Sequence, residues 1–251
     1  MRKGIWAAVV AAIGLSGAGV ALAGAPATNS KGYFIDLSVR VSPPIAGTPG
    51  HPRGVGLEFD SFDGNRIDGN RQEVNPSIIA RFGSGFKVNG AKFPACQLQL
   101  KKFSMCSKAD QIGTGSAEAS FPGKNGAPPS FISANLVAYN GSPYHGHRTL
   151  IIQAVINGKP TVELDFTVTN SSTGPWGVTF SSIPTPGVGA SVTLTKFALK
   201  IPDDSRVVHG SKIHLITAPN TCHRFWKFEQ ENTFQHGPPL IATDTEACTS
   251  R

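Results

Sequence analysis

The stretch CQLQLKKFSMCSKADQIGTG, Cys96 to Gly115, gathers residue types that could do chemistry: two cysteines, two lysines between them and a Gly-x-Gly step. Cations beside a thiol would lower its pKa and make a reactive pair, and closely spaced thiolates would grip a metal. Only Lys101 and Lys102 support either reading, and the chain has four cysteines but no Cys-x-x-Cys. Gly113-Thr114-Gly115 would cradle phosphate only if it opened a helix whose first N–H groups faced the anion. The residues that follow alternate instead, with Gly113, Gly115, Ala117 and Ala119 on one side. A strand face of Gly and Ala alone lets another backbone or a large side chain come close, so these glycines read as architecture.

Histidines are the next candidates, because imidazole is the commonest protein ligand of transition metals. His145-Gly146-His147 places two rings on one side if the chain is extended there, and His209, His214, His223 and His236 lie toward the C-terminus. A metal site needs three or four of these to converge, which a sequence cannot arrange by itself. His145 follows NGSPY, a turn-rich stretch, so exposure is expected. Glu163 with Asp165, and Glu229 with Glu231, each share a strand face. A glycosidase needs two carboxylates, but such i, i+2 pairs read first as solvated charges. Asp63-Gly64-Asn65-Arg66 recurs as Asp68-Gly69-Asn70-Arg71 without the ligand spacing of a calcium loop, and reads as surface turns. Gly-x-Ser-x-Gly in the mature chain, His-Glu-x-x-His and the P-loop motif are absent.

Strands must position whatever site exists. FIDLSVRV from Phe34, GVGLEF from Gly54, TLIIQAVI from Thr149, TVELDFTV from Thr161 and SVTLTKFALKI from Ser191 alternate apolar and polar residues. Period two with β-branched residues predicts half-buried strands. Gly, Pro, Asn and Asp clusters such as SPPIAGTPGHP and YNGSPYHG separate them, giving about eleven strands. The expected fold is all-β: a Greek-key or jelly-roll-like β-sandwich with at most one short helix, pinned by two disulfides. PACQLQLKKF leaves a short helix from Pro94 in competition with a strand.

The N-terminus reads as a secretory signal over residues 1–23: Arg2 and Lys3, an apolar run from Gly4 to Leu22, then Ala21-Leu22-Ala23. Residues 24–32 are expected to be a flexible lead and 33–251 one β-sandwich domain. No later apolar run is long enough to span a bilayer, so no membrane span is expected after cleavage. The Ala/Gly-rich signal suggests a bacterial source. The formal charge of +7 falls by two with the signal and is then scattered, with no basic stripe of the kind nucleic acid requires.

Four cysteines in an exported chain read as two disulfides. Three pairings are possible; the local one, Cys96 with Cys106 and Cys222 with Cys248, is favoured. The second would tie the open ends of a terminal hairpin whose Trp226 and Phe228 share a face and read as a core edge. SIIARFGSGFKVNGAKFPAC, CSKADQIGTGSAEA, KIHLITAPNTC and the closing TEAC resemble a group of uncharacterised secreted bacterial proteins over roughly Ser77 to Cys248. The resemblance implies a disulfide-pinned β-sandwich and brings no substrate, cofactor or catalytic residue. Ser107 stands where that group tends to have Pro, and His236-Gly237 where Asp-Gly is usual.

These features point to an exported, non-enzymatic binding or structural module at the cell surface or released. Its partner would be envelope glycan or another surface protein, with no nucleic acid and no cofactor. An exposed aromatic patch around Tyr139, Tyr144 and Trp176 would be its marker. The alternative is a secreted metal-binding or hydrolytic protein with dispersed histidines and carboxylates, marked by a pocket where a histidine meets a carboxylate.

Overall fold

The computed structural model describes residues 26–30, 32–65, 77–121, 130–184, 193–234 and 238–250. Residues 1–23, the repeat copy at 68–71 and His236 lie outside them.

Alternation builds the strands. In β2 (Tyr33–Ser42) every second residue from Tyr33 to Val41 is buried and those between are more exposed, as period two requires. Twelve strands join in one antiparallel sheet among the described residues, in the order β1 (Ala27–Thr28), β2, β3 (Gly56–Asn65), β11 (Thr193–Ile201), β6 (Gln111–Phe121), β7 (Ser130–Tyr144), β8 (His147–Ile156), β9 (Lys159–Asn170), β10 (Trp176–Ser182), β4 (Ser77–Gly83), β15 (Phe225–Thr233) and β16 (Leu240–Ala247). Strands β6 to β10 form a meander, and β11 returns to lie beside β6, a Greek-key-like connection. The expected lead is not free: Ala27 and Thr28 pair with Ile35 and Phe34, extending the sheet edge.

The sheet folds over on itself, and its inner faces make one core. Phe59 and Phe197 from β3 and β11 face the same interior as Phe82, Ile152, Phe166 and Phe180 from β4, β8, β9 and β10. Gly113 and Gly115 lie where β6 runs closely against the backbone of β11. A Cβ at Gly113 would lie 2.6 Å from the Lys200 carbonyl oxygen, and one at Gly115 would overlap that of Ala198. The pairing is irregular between Gln111 and Gly113. The glycines therefore do lie under neighbouring backbone, as their strand face predicted.

The helix weighed near Pro94 does not form. The Cys96 N–H donates to the Asn140 carbonyl at 2.8 Å and Ser142 N–H to the Cys96 carbonyl at 2.7 Å, so the backbone groups a helix would need serve an extended pairing. Short 3-10 turns over Gly90–Lys92 and Lys108–Asp110 flank it. Both disulfides have the local pairing, with Cα separations of 4.8 Å for Cys96–Cys106 and 5.8 Å for Cys222–Cys248. The second closes the open end of the β15–β16 hairpin, where Phe225 pairs with Ala247. Trp226 and Phe228 are buried against Phe86 and Phe82, as a core edge should be.

Candidate functional site

Segments 43–55, 84–93 and 202–224 crowd one end of the sandwich. Two small ribbons brace them: β12 (Ser205–Val208) with β13 (Ser211–His214), and β14 (Ile216–Thr217) with β5 (Lys87–Val88). Thr48 and His51 exchange backbone hydrogen bonds across a Pro49-Gly50 turn, in which Gly50 takes φ +79°. Ala46 N–H donates to the Thr249 carbonyl and Gly47 N–H to that of Pro219, both at 2.9 Å. The Cys222–Cys248 bridge thus steadies this segment through the residues next to it.

Here lies a pocket of about 330 Å³ lined by Pro43, Gly47, His51, Arg53, Asp203 and His214, among others. His214 ends β13, Asp203 follows β11, and the His214 Nδ1 sits 2.7 Å from the Asp203 carboxylate. Fixing Nδ1 against a carboxylate orients the ring and leaves Nε2 as the nitrogen for other work. Gly54 makes the pair possible, since a Cβ there would overlap both His214 Nδ1 and Asp203 Oδ1. Leu215 N–H donating to the Asp204 carbonyl at 2.8 Å holds the two segments in register. Among the described residues Arg53 makes no ion pair. The lining therefore carries Arg53 and two imidazoles against one carboxylate that is already engaged.

Nothing in the local sequence singles out His51 and Arg53, which share one loop, or Asp203, which lies far along the chain from them. His145 and His147 do not converge. His145 and Gly146, both at positive φ, form the turn of the β7–β8 hairpin, so the stretch is not extended. The His145 ring leans on Tyr144 at 4.1 Å between centroids, and His147 Nδ1 meets the Thr169 hydroxyl at 3.1 Å. No group of three histidine, cysteine or carboxylate side chains able to hold a metal occurs among the described residues. Tyr139, Tyr144 and Trp176 are half-buried, and none stacks on another among the described residues. Burial, and then Asp110, push the Tyr139 hydroxyl up from its ordinary pKa.

The carboxylate pairs are not solvated charges. Glu229 and Glu231 both clasp the guanidinium of Arg81 on the neighbouring strand. Glu163 and Asp165 are each 2% exposed, and the Cys96–Cys106 loop lies over Glu163. Glu163 accepts from Ser104 N–H at 2.9 Å, Ser104 Oγ at 2.8 Å and Gln153 Nε2 at 2.7 Å. Neither oxygen of Asp165 has a partner, and burial, then the neighbouring Glu163, push its carboxyl up to about 7. Sealed from solvent, the pair has no room for a sugar, and Glu163 latches the loop. Asp63, read as part of a surface turn, is also buried. It lies in β3, accepts from Ser61 Oγ and Asn232 Nδ2 at 3.2 and 3.3 Å, and is raised by desolvation to about 7.

Comparison with protein-family models, curated proteins and solved structures finds no match to this chain.

Proposed function

We propose that the chain is an exported, non-enzymatic binding module that takes an anionic group of an envelope glycan in the pocket between His51, Arg53 and His214. The observation that carries this reading is the charge inventory of the pocket: one unpaired guanidinium and two imidazoles, with the single carboxylate committed to His214. Charge-assisted hydrogen bonds from such donors are the strong way to hold a carboxylate or phosphate. Export is supported by the two disulfides, which persist in oxidising compartments, and by the signal-like residues 1–23.

Calorimetric titration of the mature protein with a polyuronate oligosaccharide, a polyol-phosphate oligomer and a neutral oligosaccharide tests it. The expected result is salt-sensitive binding of at least one anionic oligomer, weakened about tenfold or more by Arg53→Ala, as loss of a hydrogen bond to a charged group entails. Equal binding of the neutral sugar, or binding only of an acidic peptide run in parallel, would sink the glycan assignment.

One observation favours a second reading. A histidine whose Nδ1 is held by a carboxylate is also the arrangement of a general base. Turnover of phosphate or acetyl esters that disappears in His214→Ala would make the pocket hydrolytic.

A further inference from the structure

The interior of the sandwich is under-filled along one side. β6, β7 and β8 present Ala117, Ala119, Ala134 and Ala154 where other strands present Leu, Ile or Phe. Side chains this short do not reach the opposite layer, and a cavity of about 140 Å³ remains. A second, of about 70 Å³, lies deeper between β3, β11 and the opposing strands. The two share Ile78, Ile152, Leu164, Leu194 and Phe197 as walls, so they adjoin. Ile132 lines the first cavity and is itself 40% exposed, which places its mouth at the end of the sandwich opposite the polar pocket.

The deeper cavity is apolar except for Ser61 and Gln230. Gln230 is 2% exposed; its Nε2 donates to Asn232 Oδ1 at 3.0 Å, but its Oε1 has no hydrogen-bond partner. A buried acceptor left without a donor costs about 1–3 kcal/mol, so native interiors seldom keep one. A ligand that brings a donor would remove that cost. The surrounding walls admit only hydrocarbon beside it.

We propose that the two adjoining cavities form one site for an aliphatic molecule with a single hydroxyl, its hydroxyl donating to Gln230 Oε1 and its chain lying along the alanine face toward Ile132. A dry cavity of about 150 Å³ holds a six-carbon ring, so the pair has room for a chain of about eight carbons. Burying that chain in a preformed apolar site removes its surface from water without reshaping the protein. The inference is independent of the polar pocket.

The probes are 1-octanol and octyl methyl ether, which lacks the donor, titrated calorimetrically into the mature, disulfide-intact protein. The expected result is 1-octanol binding with a negative heat-capacity change, and binding of the ether about tenfold weaker. Gln230→Leu should bring the two probes to within about twofold of each other, because the preference rests on one hydrogen bond. Ala154→Leu should abolish both by filling the cavity; Ala119→Leu, on another strand, serves if the first variant fails to fold. Circular dichroism confirms the fold of each variant. Absence of 1-octanol binding up to its solubility, equal affinity for the two probes, or affinity unchanged in a folded cavity-filling variant would each overturn the assignment.

Discussion

The backbone N–H of Val39 on β2 donates to Oδ2 of Asp244 on β16 at 2.6 Å. β16 ends the sheet at one side and β2, beyond its short pairing with β1, borders it at the other, yet the two lie side by side. A side-chain carboxylate thus takes the place of a ladder carbonyl along this seam. The edge of β2 is covered, which removes a template for pairing with another chain.

Asp244→Ala should therefore destabilise the protein by about 1–3 kcal/mol, since it leaves a buried N–H without an acceptor. Asp244→Asn retains one acceptor and should lose less. Urea unfolding of both variants measures the difference, and an alanine variant as stable as the parent would mean the seam is not held by this bond.

Stability should fall as pH rises from about 4 to about 7. The carboxyls of Asp63 and Asp165 are both raised to about 7 from an ordinary 3.8, so in that window the folded state holds protons that the unfolded chain releases. Their favourable share is complete below the unfolded value and is lost as pH passes the folded one. Asp165→Asn keeps the shape and cannot ionise. It should raise the melting temperature at pH 8, leave it nearly unchanged at pH 4 and flatten the slope between. Thermal scans over that range check all three, and a parent profile that climbs toward pH 7 would contradict the burial argument.

Reducing the disulfides should loosen the Glu163 latch along with the chain. For loops closed by residues 10 and 26 apart, the chain-entropy relation gives about 2.8 and 3.5 kcal/mol. Loss of Cys96–Cys106 by paired serine substitution should cost about that first amount and speed hydrogen exchange at Ser104. Non-reducing peptide mapping should recover the two local bridges; a Cys96–Cys222 peptide would refute the pairing.

Gly115→Val should be among the most damaging single changes, since its side chain would meet the Ala198 carbonyl across the β6–β11 pairing. A loss of about 3 kcal/mol or more is expected, as for other core clashes. Gly113→Val should follow with a smaller loss. Denaturant midpoints decide, and an unchanged midpoint for either would mean that the strands can part without cost.

The alternation in segments such as FIDLSVRV settled the all-β class, because period two states which face of a strand is buried whatever lies opposite. Local cysteine spacing and the Gly/Ala face of Gly113 to Ala119 were legible for the same reason: each depends on neighbours close in the chain. The carboxylates were not. Glu163 and Asp165 alternate like solvated residues, and only packing removes them from water, with Ser104 of the Cys96–Cys106 loop reaching Glu163 from 59 positions away. Asp63 sits in an Asp-Gly pair that reads as a turn until β15 supplies Asn232 from 169 positions away. The pocket follows the same logic, since His51 and Arg53 meet Asp203 and His214 only once segments 43–55 and 202–224 are packed at one end. Sequence alone determined the faces of the strands and the local staples. Which faces oppose each other, and so which histidine meets a carboxylate and which acids lose their solvent, was decided by tertiary packing, because desolvation and pairing depend on groups brought in from distant segments.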